Sequence, residues 1–150
     1  MKKFVWRLQK VLEINEKRQQ AKKAELFRTT EKLALSRANL LAQQRILQDL
    51  IEDVAKLKPA ERLDRQQLLL KSTKKNDELI RECEDQIRQL EMDQKQLIAE
   101  FLKIKRFTES LKNLREQDKH KFIIEQEKFE QKEMDEHTSM RFAGRLTHNT

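Results

Sequence analysis

Residues 56–61 read Lys56-Leu57-Lys58-Pro59-Ala60-Glu61 and hold the one proline of a 150-residue chain. Proline lacks an N–H and keeps the residue before it out of helical angles, so a helix arriving from upstream must end near Leu57 or Lys58. The same proline suits the first turn of a following helix, where Glu61 complements the helix dipole. The hexapeptide therefore reads as a tight turn between two helices. Ser72-Thr73-Lys74-Lys75-Asn76-Asp77 is a second polar stretch. It contains no helix breaker and ranks behind Pro59 as a turn.

Upstream of the turn, Leu26, Leu33, Leu40, Leu47 and Val54 recur every seven residues, and Leu12 and Val5 extend the phase. The complementary positions are Asn15, Lys22, Thr29, Ser36 and Gln43, with apolar Leu8, Leu50 and Leu57 only at the ends. A sustained apolar heptad argues for a long helix. Polar residues in the other half of its seam cost stability but fix register. Downstream, Leu69, Ile80, Cys83, Ile87, Leu90, Leu97, Phe101, Ile104 and Leu111 form a second stripe, followed by Phe122 and Phe129 and interrupted by Asn76, Gln94 and Thr108.

Two helices joined by a short turn run antiparallel, and a period below 3.6 implies a left-handed supercoil. The expected fold is all-α: two long helices forming an antiparallel left-handed coiled-coil hairpin, in a single coiled-coil domain over residues 1–150. Helix 1 covers about 3–57, the turn about 58–60, helix 2 about 60–137, and a loose tail with Gly144 about 138–150. At 1.5 Å per residue the helices span roughly 80 Å and 115 Å, so helix 2 is longer than helix 1. With the turn near 59, residue 4 pairs near residue 114, and residues beyond about 115 overhang without an intrachain partner. The overhang carries Phe122, Ile123, Ile124 and Phe129. Each such side chain gains about 1.5–3 kcal/mol on full burial, so the patch marks a partner surface, with a frayed tail as the alternative.

Composition narrows the function. Charged residues make up 39%, with 33 Lys and Arg against 26 Asp and Glu, net +7, and there is one Gly, one Cys and no Tyr. A Gly-rich phosphate cradle is excluded, and few tight turns are possible. Residues 1–57 hold 13 basic and 7 acidic side chains. Residues 103–121 hold seven basic and three acidic, ahead of Glu125, Glu127, Glu130, Glu133, Asp135 and Glu136. Such interspersed charge reads as a solvated helix surface. The densest basic run, Lys17 to Lys23, is flanked by Glu13, Glu16 and Glu25. It does not resemble a DNA-reading basic helix, and few aromatics are present to stack on bases, so no nucleic-acid partner is expected.

His120, His137 and His148 have no ligand spacing with one another or with Cys83, so no metal is expected, nor any cofactor. A two-helix hairpin encloses no pocket to perturb an acid or base, so no catalytic residues are expected and the chain reads as a non-enzyme. Cys83 stands alone, which suits a reducing compartment. No apolar run approaches the roughly 20 residues of a membrane span, and charged residues break any signal-peptide core, so the expected location is the cytoplasm. Lys2–Leu12 is amphipathic with net charge +4. It suits an anionic membrane surface or, as favoured here, the open end of the hairpin capped by aromatics. Trp6 lies off the seam and is a candidate partner contact.

Both ends of the chain resemble one family. Phe4-Val5-Trp6-Arg7-Leu8-Gln9-Lys10-Val11-Leu12-Glu13 resembles the opening of the bacterial flagellar export protein family FliJ. Glu130-Gln131-Lys132-Glu133-Met134-Asp135-Glu136, followed by Arg141-Phe142, is similar to the family's C-terminal motif, with Met134 where many relatives have Leu. Aromatic residues that some relatives carry near the turn are absent.

The resemblance implies a coiled-coil stalk of a type III protein export apparatus, cytoplasmic and peripherally associated with the inner membrane. The two chain ends would enter a hexameric export ATPase, with Phe4, Trp6, Leu8, Phe122, Phe129, Gln131, Lys132, Met134, Asp135 and Glu136 as contact residues. The turn end would contact the cytoplasmic domain of the membrane export gate, for which Leu41, Leu68 and Leu79 are candidates by their exposure. The family is also implied to escort export chaperones. The equivalent stalk of a virulence-type injectisome and a generic coiled-coil scaffold are the alternatives.

Overall fold

The computed structural model describes residues 2–148. They form two helices, α1 (Gln9–Ala55, 47 residues) and α2 (Pro59–His148, 90 residues). Among the described residues there is no strand. The fold is the expected all-α pair with the second helix longer. Its boundaries differ from expectation at three places: α1 begins at Gln9 instead of about residue 3, the turn is Lys56–Lys58, and α2 runs past 137 to His148. The Ser72–Asp77 stretch lies inside α2.

The chain divides into two compact units, Gln19–Lys103, and Met1–Arg18 together with Ile104–Thr150. In a two-helix layer each residue meets only those level with it, so contacts stay local and no single core gathers them.

In the unit Gln19–Lys103, partners descend α2 as they ascend α1. Lys22 pairs with Glu100, Thr30 with Gln94, Arg37 with Glu91, and Gln43 with Asn76. The helices are therefore antiparallel. The side chains withdrawn from solvent on α1 are Gln19, Lys22, Leu26, Thr29, Leu33, Ser36, Leu40, Gln43, Leu47, Leu50 and Val54, which is the heptad seam. Leu33 is the most deeply buried apolar residue, 2% exposed. Opposite them, Asn76, Ile80, Cys83, Ile87, Leu90, Gln94, Leu97 and Phe101 continue the three-four spacing.

Two polar seam positions, Asn76 and Lys22, find partners across the pair. Asn76 is buried, and its Nδ2 donates to the Gln43 carbonyl at 3.2 Å. Lys22 Nζ lies 2.8 Å from Glu100 Oε2. The hydrogen bond to Glu100 raises the Lys22 pKa above its ordinary value, against the opposing effect of desolvation. The bond from Lys22, then that from Gln96, lowers the pKa of Glu100. Contacts of this kind hold one register, because a shifted pairing leaves them unmade.

The turn is closed from its far side. α1 has no basic residue in its last turn, and its final carbonyls need partners. Arg62 of α2 reaches back to the last of them: Nη2 donates to the Ala55 carbonyl at 3.0 Å, while Nε donates to the Leu57 carbonyl of the turn at 2.8 Å. The Lys58 carbonyl accepts from the amides of Glu61 and Arg62 and so starts α2 just ahead of Pro59.

In the unit Met1–Arg18 with Ile104–Thr150, Leu12 and Asn15 of α1 and Thr108 and Leu111 of α2 are buried. The Thr108 hydroxyl is satisfied within its own helix by the Ile104 carbonyl at 2.9 Å. Beyond 137, where a loose tail was expected, α2 remains helical. Gly144 does not end it, having no positive φ. One glycine costs a helix about 1 kcal/mol relative to alanine, which the ordinary helix formers around it outweigh. No helix of the described residues is long and apolar enough to cross a membrane.

Candidate protein-binding surfaces

Residues 2–8 are not helical. Phe4 and Leu8 are half-buried and Trp6 is 6% exposed, while Lys3, Val5 and Arg7 face solvent, Val5 at 86%. This alternation is the period of an extended chain. The segment lies on α2. The Trp6 indole Nε1 donates to Asp118 Oδ2 at 2.9 Å. The Phe4 and Phe122 rings are 5.5 Å apart and tilted by 49°, a favourable aromatic geometry. Trp6, Leu12 and Leu111 form a buried cluster with Phe4 and Leu8 against it.

α1 then starts with the Gln9 amide on the Trp6 carbonyl at 3.2 Å and the Leu12 amide on the Leu8 carbonyl at 3.0 Å. No Ser, Thr, Asp or Asn precedes Gln9, and the first turn holds no acidic residue. The aromatic anchors thus set the start of the helix in place of a cap.

This extended segment corrects the expected pairing. An extended residue advances about 3.3 Å and a helical one 1.5 Å, so the residues ahead of the Trp6–Gln9 turn travel further along α2 than a helix would. Phe4 meets Phe122, not the neighbourhood of residue 114. Phe122, expected in the unpartnered overhang, is half-buried. Trp6 and Leu8, read as partner contacts, are occupied within the chain. The unpartnered part of α2 begins beyond Phe122.

There the side chains are open. Phe129, Gln131, Lys132, Met134, Asp135 and Glu136 are all exposed. Phe122, Phe129, Glu125, Glu130, Glu133 and Lys2 line one shallow groove. Glu130, Glu133, Met134, His137, Thr138 and Arg141 line the next. The sequence motif therefore divides between faces. Met134 borders a groove, whereas Gln131, nine residues from Phe122, points about 180° away from it around the helix. An acidic, aromatic surface of this kind suits a basic or apolar protein segment. Among the described residues no three His, Cys, Asp or Glu side chains are gathered to hold a metal ion.

Sequence reasoning missed two residues here. Asp118 holds the indole, and the heptad could have found it, because it lies seven residues after Leu111 on the seam. Lys2 joins the groove only because the segment before α1 is extended. Arg115, one turn before Asp118, has a buried Nε without a hydrogen-bond partner.

In the other unit, Leu41, Leu68 and Leu79 are exposed at 65%, 63% and 46%. Leu41 shares the outward face of α1 with exposed Phe27, two heptads earlier. Leu68 and Leu79 are eleven residues apart, three helical turns, and so share a face of α2.

The family model for the flagellar FliJ protein matches residues 3–147. No curated protein and no solved structure matches the chain.

Proposed function

The chain belongs to the flagellar FliJ protein family, which gives it a role related to flagellar export, and we propose that it serves there as the coiled-coil stalk that couples the hexameric export ATPase to the membrane export gate. The observation that carries this reading is the end of α2. From Phe129 onward it remains helical with Phe129, Met134, Met140, Phe142 and Leu146 exposed. A helix that keeps five large apolar side chains in water gains by inserting them into a partner.

In this reading the acidic and aromatic grooves around Phe122, Phe129 and Met134 dock against the ATPase. Leu41, Leu68 and Leu79 meet the gate. The chain contributes geometry and stiffness and no chemistry of its own. Escort of export chaperones and peripheral attachment at the inner membrane belong to the same proposal and rest on the family resemblance.

The test is binding of the purified export ATPase to the full chain and to a chain ending at Gln126. Truncation should abolish binding, and charge substitutions at Leu41 and Leu68 should leave it intact. Retained binding after truncation refutes the docking.

A further inference from the structure

The segment Lys3–Leu12 carries two periodicities at once. Taken in twos, Phe4, Trp6 and Leu8 share a side, and these are the side chains that pack on α2. Taken in the heptad of α1, Val5 shares the phase of Leu12, with Leu8 at the complementary position. A helix through these residues turns Val5 to the seam and carries Trp6 about 120° away from Leu12. The chain cannot satisfy both patterns together, and the extended form leaves Val5 86% exposed.

Nothing local chooses between them. Lys2–Leu12 contains no proline, no glycine and no Ser, Thr, Asp or Asn to cap a helix at Gln9. The extended form is held by tertiary contacts: the indole on Asp118, Phe4 on Phe122, and Phe4 and Leu8 against the buried cluster of Trp6, Leu12 and Leu111.

We propose that residues 2–8 are a two-state strap. Extended, they cover the seam side of α2 from Asp118 to the groove beyond Phe122. Wound back onto α1, they add about two helical turns, bury Val5, release Phe4 and Trp6, and uncover Asp118 and Phe122. Ahead of the Trp6–Gln9 turn, the four steps from Lys2 to Trp6 span about 13 Å extended and about 6 Å helical. Winding therefore withdraws the strap from about five residues of α2. A partner that takes the uncovered surface shifts the equilibrium by its preference for the open form. The strap is a property of the isolated chain and does not rest on the partner proposed above.

The test uses the full chain labelled for backbone NMR. The Cα shifts of residues 3–8 report extended or helical backbone, and Trp6, the one tryptophan in a chain without tyrosine, reports burial through acrylamide quenching. The wild type should show extended shifts and a shielded indole. Asp118→Ala combined with Phe122→Ala removes both ring contacts. It should give helical shifts at residues 3–8 and a several-fold rise in quenching.

Arg7→Pro in that background should abolish the helical shifts. Proline fits the second position of the Trp6–Gln9 turn but bars a helix through Trp6. Trp6→Gln, which leaves α2 untouched, should reproduce the helical shifts if the double variant disturbs α2. Random-coil shifts at residues 3–8 in both latch-free proteins overturn the proposal, because the segment then merely frays. An indole still shielded in the double variant overturns it as well.

Discussion

Leu33→Ala tests whether the heptad seam is where the stability of the pair resides. Leu33 is 2% exposed. One step before and after it on the seam stand Thr29 and Ser36, small and polar, so Leu33 supplies apolar contact for more than its own layer. Alanine removes three carbons, which at about 0.8 kcal/mol per buried methylene is about 2.4 kcal/mol. The additional cavity term of a closed core is small here, because a two-helix seam opens to water on both sides. The cost therefore falls near the low end of the Leu→Ala range, about 2–2.5 kcal/mol.

Leu35, two residues on and 64% exposed, is the control, and Leu35→Ala should cost under about 0.5 kcal/mol. Urea unfolding followed by helix circular dichroism measures both. With a slope of about 2 kcal/mol per molar, Leu33→Ala should lower the midpoint by about 1 M at unchanged slope. Equal costs for the two substitutions would refute the reasoning, since the outward face of α1 would then be as buried in solution as the seam.

The Lys22–Glu100 pair gives a pH dependence. The lowered pKa of Glu100 contributes stability that is complete above its ordinary 4.5 and lost as the pH falls through its lower folded value. The raised pKa of Lys22 contributes stability that is complete below 10.5 and lost as the pH rises through its higher folded value. The difference in urea midpoint between wild type and Glu100→Gln should be level between those limits, shrink beyond them and shrink in high salt; a difference that does not shrink as the pH falls below 4.5 contradicts the assignment. Arg62→Ala should cost about 1 kcal/mol by uncapping the last turn of α1. It should speed amide exchange at Lys56 and Leu57, and Arg62→Lys should not restore it, because one ammonium cannot reproduce the fork. Gly144→Ala places a methyl where nothing lies within 4 Å. It should stabilise the end of α2 by about 1 kcal/mol, read as slower amide exchange over residues 141–147.

The sequence by itself determined the helices, their order and their seam. Leu26, Leu33, Leu40, Leu47 and Val54 mark a buried face by local period alone, and Pro59 stops one helix and starts the next through its own ring. Gly144 reads as punctuation in the sequence, yet α2 continues through it to His148, because a lone glycine inside a helix lowers its stability without terminating it. The exposed candidates Met134, Leu41, Leu68 and Leu79 were legible, since they lie off a seam that the period defines, whereas Phe129 continues the phase of Phe122 beyond the reach of α1.

Tertiary structure alone decided what lies where two local readings tie or where the partner is distant in the chain. Val5 and Trp6 belong to competing periods, and only Asp118 and Phe122, more than a hundred residues away, choose the extended one. That choice moves Phe4 from the level of residue 114 to Phe122 and takes Trp6 and Leu8 out of the free surface. The Arg62 fork and the bond from Asn76 to the Gln43 carbonyl are likewise invisible in spacing, because each ends on a backbone carbonyl that every residue possesses. Periodicity records which side of a helix is buried. What the buried side meets is fixed by the register of the second helix.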